Sequence, residues 1–109
     1  MPSLFEMKCR ELPAGTPALG RARIDALLKE VPGWSYDGKV ITKTYSFKNY
    51  YETIAFVNAV AWVVHREDHH PDMSVGYNRC RVDFSTHSIG GISENDFICA
   101  AKIEALPGL

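Results

Sequence analysis

The residues from Arg79 to Thr86 constrain the fold of this chain more than any others. Cys80, Val82 and Phe84 alternate with Arg79, Arg81, Asp83 and Ser85, the period-two pattern of a strand with one buried and one wetted face. Such a strand needs a neighbour, and Met73 to Tyr77 supplies one across a turn at Tyr77-Asn78-Arg79. Antiparallel residues equidistant from the centre of a turn lie opposite each other, so a turn centred on Asn78 sets His69 opposite His87. All four histidines fall between positions 65 and 87, and this hairpin is expected to draw three of them together.

The rest of the chain divides at clear punctuation. Thr16-Pro17 reads as an N-cap and first helical position, followed by Ile24, Leu27, Leu28 and Val31 at helical spacing and a stop at Pro32-Gly33. A strand from Trp34 to Tyr36 leads into Asp37-Gly38, a two-residue hairpin signal, and a return strand over 39–47. That strand sets Ile41, Lys43, Tyr45 and Phe47 on one face and Val40, Thr42, Thr44 and Ser46 on the other. Residues 49–67 form the longest helical pattern, with Asn49 as N-cap. Its apolar residues nearly encircle it: Ile54, Val57, Ala61 and Val64 on one side, Phe56, Val60 and Val63 beside them. A helix of that kind is either central to the core or shared with another subunit. Pro71 bars continuation of the helix and favours extended geometry at His70. After Gly90-Gly91, Ser93 opens a final helix with Asp96 at its third position, ending at Pro107-Gly108. The order predicts an α+β fold, α-β-β-α-β-β-α, in which a four-stranded antiparallel sheet has its helices packed on one face. Residues 1–109 are expected to be one domain, with residues 1–15 as an irregular N-terminal arm.

Charge and composition exclude several functional classes. Twelve Lys+Arg against thirteen Asp+Glu leave no evident basic face for nucleic acid or an anionic membrane. The start MPSLFEMKCREL lacks a signal-peptide core, and no window approaches the ~18 apolar residues of a membrane span. Cys9, Cys80 and Cys99 are odd in number, widely spaced and without a CxxC pair, which points to reduced thiols and a cytoplasmic protein.

The chemistry then falls to the imidazoles. Three histidines with Asp68 or Asp72 satisfy zinc by ligand type, but the HExxH pattern is missing, and His65 pairs with His69 only if the helix runs on. Acid–base catalysis needs no metal, because imidazole exchanges protons near neutral pH. Asp96 has a structural reading as a helix cap, favoured at this point over a role in orienting a histidine. Trp34 reads as core or lid, and Cys80 as packing. No partner base is evident for Cys9 or Cys99, no serine sits in GxSxG, and no phosphate loop is present.

The pattern His65-x3-His69-His70-Pro71, then Tyr77, His87 and Asp96 at fixed gaps, resembles the signature of the pterin-4a-carbinolamine dehydratases. Asp72, Tyr77-Asn78-Arg79, Thr86-His87, Gly90-Gly91 and Gly33-Trp34 extend the likeness over roughly residues 16–106. His65 departs from it, since relatives often have glutamate there. The resemblance implies dehydration of 4a-hydroxytetrahydropterin to quinonoid dihydropterin, with no metal and no organic cofactor. This recycles the cofactor of aromatic amino-acid hydroxylases, notably phenylalanine hydroxylase. It implies acid and base roles for His69 and His87, with His70 holding the pterin and assisting. Asp68 and Ser85, Thr86, His87 and Ser88 would line the pterin site, supported by His65, Asp96 and Trp34. Oligomers are the rule among such relatives, so a homodimer or homotetramer is expected here, and some animal relatives also serve as dimerisation cofactors of a transcription factor through a helical face. A helix-mediated protein-binding module is therefore the alternative function.

Overall fold

A computed structural model describes residues 3–107, so Gly108 of the expected Pro107-Gly108 stop lies outside the described residues. Four strands form one antiparallel sheet in the order β1-β2-β4-β3: β1 Ser35–Tyr36, β2 Ile41–Ser46, β3 Asp72–Val75 and β4 Arg79–Phe84. Three helices, α1 Arg21–Leu28, α2 Tyr50–Glu67 and α3 Glu94–Glu104, complete the α+β fold. β4 lies inside the sheet, between β2 and β3, and its alternation lets it bury one face completely. Cys80, Val82 and Phe84 are fully inaccessible, while Arg79, Arg81 and Asp83 share the outer face with Thr42, Thr44 and Ser46. Burying a large apolar side chain contributes about 1.5–3 kcal/mol, far more than exposed pairs such as Arg81–Asp83 can add. The inward row therefore fixes the strand.

α2 begins as its sequence requires, with the Asn49 side chain accepting the Glu52 N–H at 3.0 Å. It buries Thr53, Phe56, Val60 and Val64, one stripe at helical spacing. The other residues of the expected apolar belt are less covered: Ile54, Val57 and Val63 are half-buried and Ala61 is exposed, and Trp62, outside that belt, is 63% exposed. α3 is buried nearly all round, from Asn95 to Ala100 and again at Ile103. No helix among the described residues is long and apolar enough to cross a membrane.

Three local expectations are corrected. α1 starts at Arg21 rather than at Thr16-Pro17. The Thr16 hydroxyl turns back to the Pro13 carbonyl at 2.6 Å, and the Leu19 N–H is held by the Ile92 carbonyl at 2.9 Å, which keeps that segment out of the helix. The first hairpin turns at Gly38-Lys39 rather than at Asp37-Gly38, because β1 pairs Tyr36 with Ile41 and the Asp37 N–H bonds the Val40 carbonyl at 3.2 Å. Asp37 closes that loop, its carboxylate accepting the N–H groups of Lys39 and Val40 at 2.9 Å each. Finally, β3 and β4 pair Met73 with Val82 and Val75 with Cys80, so the turn is centred between Tyr77 and Asn78 rather than on Asn78. The Gly76 N–H bonds the Arg79 carbonyl at 2.8 Å and closes a two-residue turn. Carried back, that register points His69 toward Thr86, and regular pairing has ended by Asp72 and Phe84 in any case.

The arm before α1 contains one 3-10 turn, Leu4–Glu6, with Leu4 buried. Beyond it the Arg10 backbone and the Asn95 side chain exchange two hydrogen bonds, of 3.2 and 2.8 Å, laying the arm along α3.

Candidate functional site

The site begins where α2 ends. Asp68 is the one non-glycine residue with positive φ among those described, at φ 52° and ψ 41°. Its N–H bonds the His65 carbonyl and the His69 N–H bonds the Val64 carbonyl, the paired bonds of a Schellman turn with aspartate in the left-handed position. This turn swings the chain off the helix axis and sends the His69 ring inward, where it is 14% exposed. The ring stacks on Phe84 with centroids 5.9 Å apart and planes 9° from parallel. Trp34 packs on the same phenylalanine at 5.9 Å, so it is a core residue that supports His69 through Phe84.

Below the ring lies Asp96, fully buried in the first turn of α3. Its Oδ1 is 2.5 Å from His69 Nε2. Its Oδ2 accepts the Ser93 N–H and the Thr86 hydroxyl, each at 2.9 Å. Asp96 thus caps α3 and also anchors His69, two roles weighed against each other in the sequence. A carboxylate only accepts, so Nε2 carries the proton and Nδ1 is the basic nitrogen of the neutral ring. Each oxygen of this buried carboxylate thus has a hydrogen-bond partner.

Three adjoining cavities surround this anchor. The largest, about 510 Å³, is lined by Asp68, His69, Thr86 and Ser88, by Glu67 and Asn95, and by Cys9, Arg10, Glu11 and Leu12 of the arm. Asp68 and His69 also line a groove with His65, His70, Pro71 and Met73. Thr86 also lines a third cavity, with Ser85, His87, Tyr36, Lys39 and Gly91. His70 and His87 are exposed, His70 with Nδ1 3.3 Å from the Pro71 carbonyl oxygen and His87 in a 3-10 turn, His87–Ile89. His87 accordingly does not sit across a hairpin from His69. The buried Thr86 lines the cavities of both and bonds the carboxylate that anchors His69. His65 is exposed on the last turn of α2, and the helix stops at Glu67, before His69. Among the described residues no three His, Cys, Asp or Glu side chains converge as a metal site.

Two features had no signal in the sequence. The arm forms a wall of the largest cavity, and Cys9 touches Cys99, their sulfurs 3.5 Å apart.

Known proteins share both the chain and its fold. A family model described as pterin 4 alpha carbinolamine dehydratase matches residues 17–106, which leaves the arm outside the match. A protein of Nitrosospira multiformis is 59% identical over 103 residues, 94% of this chain and 91% of its own. One of Nitrosomonas eutropha is 58% identical over 104 residues, 94% of this chain and 92% of its own. Both carry a provisional name, pterin-4-alpha-carbinolamine dehydratase. A solved structure described as a transcriptional coactivator/pterin dehydratase of Brucella melitensis is 32% identical, with a TM-score of 0.76 over 81% of this chain and 96% of that one. A pterin dehydratase-like protein described as a RuBisCO assembly factor of the alpha-carboxysome shares the fold, with a TM-score of 0.58 and 23% identity over 68% of this chain and 88% of that one. A buried aspartate under a histidine, in a chain matched from Pro17 to Leu106 and 59% identical to such a relative, therefore has a family: this chain belongs to the pterin 4 alpha carbinolamine dehydratases.

Proposed function

We propose that this protein dehydrates 4a-hydroxytetrahydropterin to quinonoid dihydropterin by histidine acid–base catalysis. The observation that carries this reading is the His69–Asp96 pair at the floor of a polar cavity. Loss of the 4a-hydroxyl needs a proton on the departing oxygen and removal of one from a ring nitrogen, with the ring's electron pair expelling water. His69 and His87 divide these two transfers. The Asp96 carboxylate takes up His69 Nε2, which leaves Nδ1 as the nitrogen of that ring that can take a proton. His70 holds the flat pterin, while Asp68, Ser85, Thr86 and Ser88 offer carboxylate and hydroxyl groups to its polar edge. The reaction uses neither metal nor organic cofactor, so a chelator leaves the rate unchanged. Its role is to regenerate the pterin spent by aromatic amino-acid hydroxylases such as phenylalanine hydroxylase. The test is decay of 4a-hydroxytetrahydropterin with the wild type and a His69→Ala/His87→Ala double variant. Acceleration over the spontaneous rate by the wild type alone is expected. No acceleration by the wild type overturns the reading.

The exposed side of α2 supports a second statement. Tyr51 is 82% and Trp62 63% exposed, two large side chains that α2 leaves uncovered. This side of α2 joins copies into a homodimer or homotetramer, and in the alternative reading the same helix binds a protein partner. Elution at the 12.2 kDa of one chain would contradict self-association.

A further inference from the structure

Cys9 and Cys99 lie 90 positions apart, yet their sulfurs are in contact at 3.5 Å, with both thiols free. The contact is held from both sides. The Cys9 N–H donates to Glu67 Oε1 at 2.9 Å, and the neighbouring Arg10 is tied twice to the Asn95 side chain on α3. Cys99 is fixed within α3 and its thiol points toward the His69 carbonyl oxygen, 3.5 Å away. The two thiols differ in access. Cys9 is half-buried and lines the largest cavity, whereas Cys99 is wholly buried. The third cysteine, Cys80, is buried in β4 beneath the sheet.

We propose that Cys9 and Cys99 form a redox-modification site that closes to an intramolecular disulfide when a hydroperoxide enters the cavity. Cys9 is the attacking thiol because the oxidant reaches it. With hydrogen peroxide, the Cys9 sulfur forms an S–O bond as the O–O bond breaks, and the leaving oxygen departs as water with the thiol proton. The Cys99 sulfur then attacks the Cys9 sulfur. An S–S bond forms, the S–O bond breaks, and hydroxide leaves as water with the Cys99 proton. Two thiols have lost two electrons and two protons, and one peroxide has become two waters. The adjacent Cys9 sulfur and burial push the Cys99 thiol well above its usual range, so Cys99 stays protonated until it resolves the intermediate. The sulfurs must close by roughly 1.5 Å to reach bonding distance, a shift that falls to the arm because Cys99 is set in a buried helix. The bond fixes the arm as a permanent wall of the cavity and removes the Cys99 S–H from the His69 carbonyl. None of this depends on the pterin reading.

The full chain is treated with hydrogen peroxide, unfolded and its thiols counted, and peptides are mapped without reduction. Free thiols are expected to fall from three to one, with a single cross-link joining Cys9 to Cys99 in monomeric chains and full recovery on dithiothreitol. The Cys9→Ser variant is expected to keep both remaining thiols, and the Cys80→Ser variant to lose both of its own. Peptide mapping of the wild type decides the matter by itself. Retention of all three thiols, sulfinic acid at Cys9 beside an intact Cys99, or a cross-link that includes Cys80 would each overturn the proposal.

Discussion

Replacing Asp96 with asparagine separates the two duties of the buried carboxylate. The amide keeps the shape, and its oxygen still accepts from the Ser93 N–H and the Thr86 hydroxyl, now at 2.9 Å each. What changes is strength and polarity. Charge-assisted bonds contribute about 1.5–3 kcal/mol and neutral ones about 0.5–1.5. Three such bonds are involved, counting that from His69, so Asp96→Asn is expected to cost roughly 3 kcal/mol of stability. The effect on the ring is qualitative. The amide nitrogen donates toward His69 Nε2, so the proton must move to Nδ1 and the ring loses its basic nitrogen there. A correctly poised acid or base contributes on the order of 10²–10⁴ in rate, and kcat should fall within that range. Urea unfolding and dehydration kinetics on one preparation read both quantities. A variant weakened as expected but with wild-type kcat would show that Asp96 serves only the helix cap, and the tautomer argument would be wrong.

Other perturbations probe the surroundings. His87→Ala removes an exposed ring, so stability should stay within ~0.5 kcal/mol while kcat falls by about 10²–10⁴; an unchanged kcat takes His87 out of the mechanism. Gly91→Ala places a Cβ 2.7 Å from the Ala18 Cβ and must displace the segment tied by the Leu19–Ile92 bond, costing about 1–3 kcal/mol; a wild-type urea midpoint would contradict that. Glu104 is pushed up by burial but lowered overall by hydrogen bonds from Lys43 and Tyr45 and by the Lys43 charge. Its stabilisation is therefore complete above the ordinary carboxylate value of 4.5 and is lost as pH falls through the lowered folded value. The melting-temperature gap between wild type and Glu104→Gln should accordingly shrink on acidification, and a widening gap would reverse the sign.

What could be read from the sequence was whatever short-range chemistry decides. The alternation of β4 and the Asn49 cap of α2 each depend on residues a few positions apart, and each folds as its pattern indicates. Thr16-Pro17 carries an equally good helix signal, but a bond from Leu19 to distant Ile92 overrides it. The turn after β3 was misplaced by half a residue because Gly76 and Arg79 close it. Pairing also stops at Asp72 and Asp83, and His87 enters a 3-10 turn of its own, so no hairpin carries it opposite His69. The second duty of Asp96 was hidden for a different reason. It depends on a left-handed turn at position 68, where aspartate stands in place of the usual glycine signal, and nothing in the sequence indicates that the ring after it will point inward. The approach of Cys9 to Cys99 depends on the arm's tertiary bonds to Asn95 and Glu67, which have no local pattern at all.

The proposed chemistry requires His69, gripped from beneath by Asp96, to act on one bound pterin together with His70 and His87, which line the adjoining cavities. The most direct measurement is the ring-nitrogen NMR spectrum of histidine-labelled protein, with and without saturating dihydropterin. The account predicts that the His69, His70 and His87 signals all move on binding, and that His69 Nε2 stays protonated throughout. Pterin bound with the His69 and His87 signals unmoved, or a free protein whose His69 proton resides on Nδ1, would contradict it.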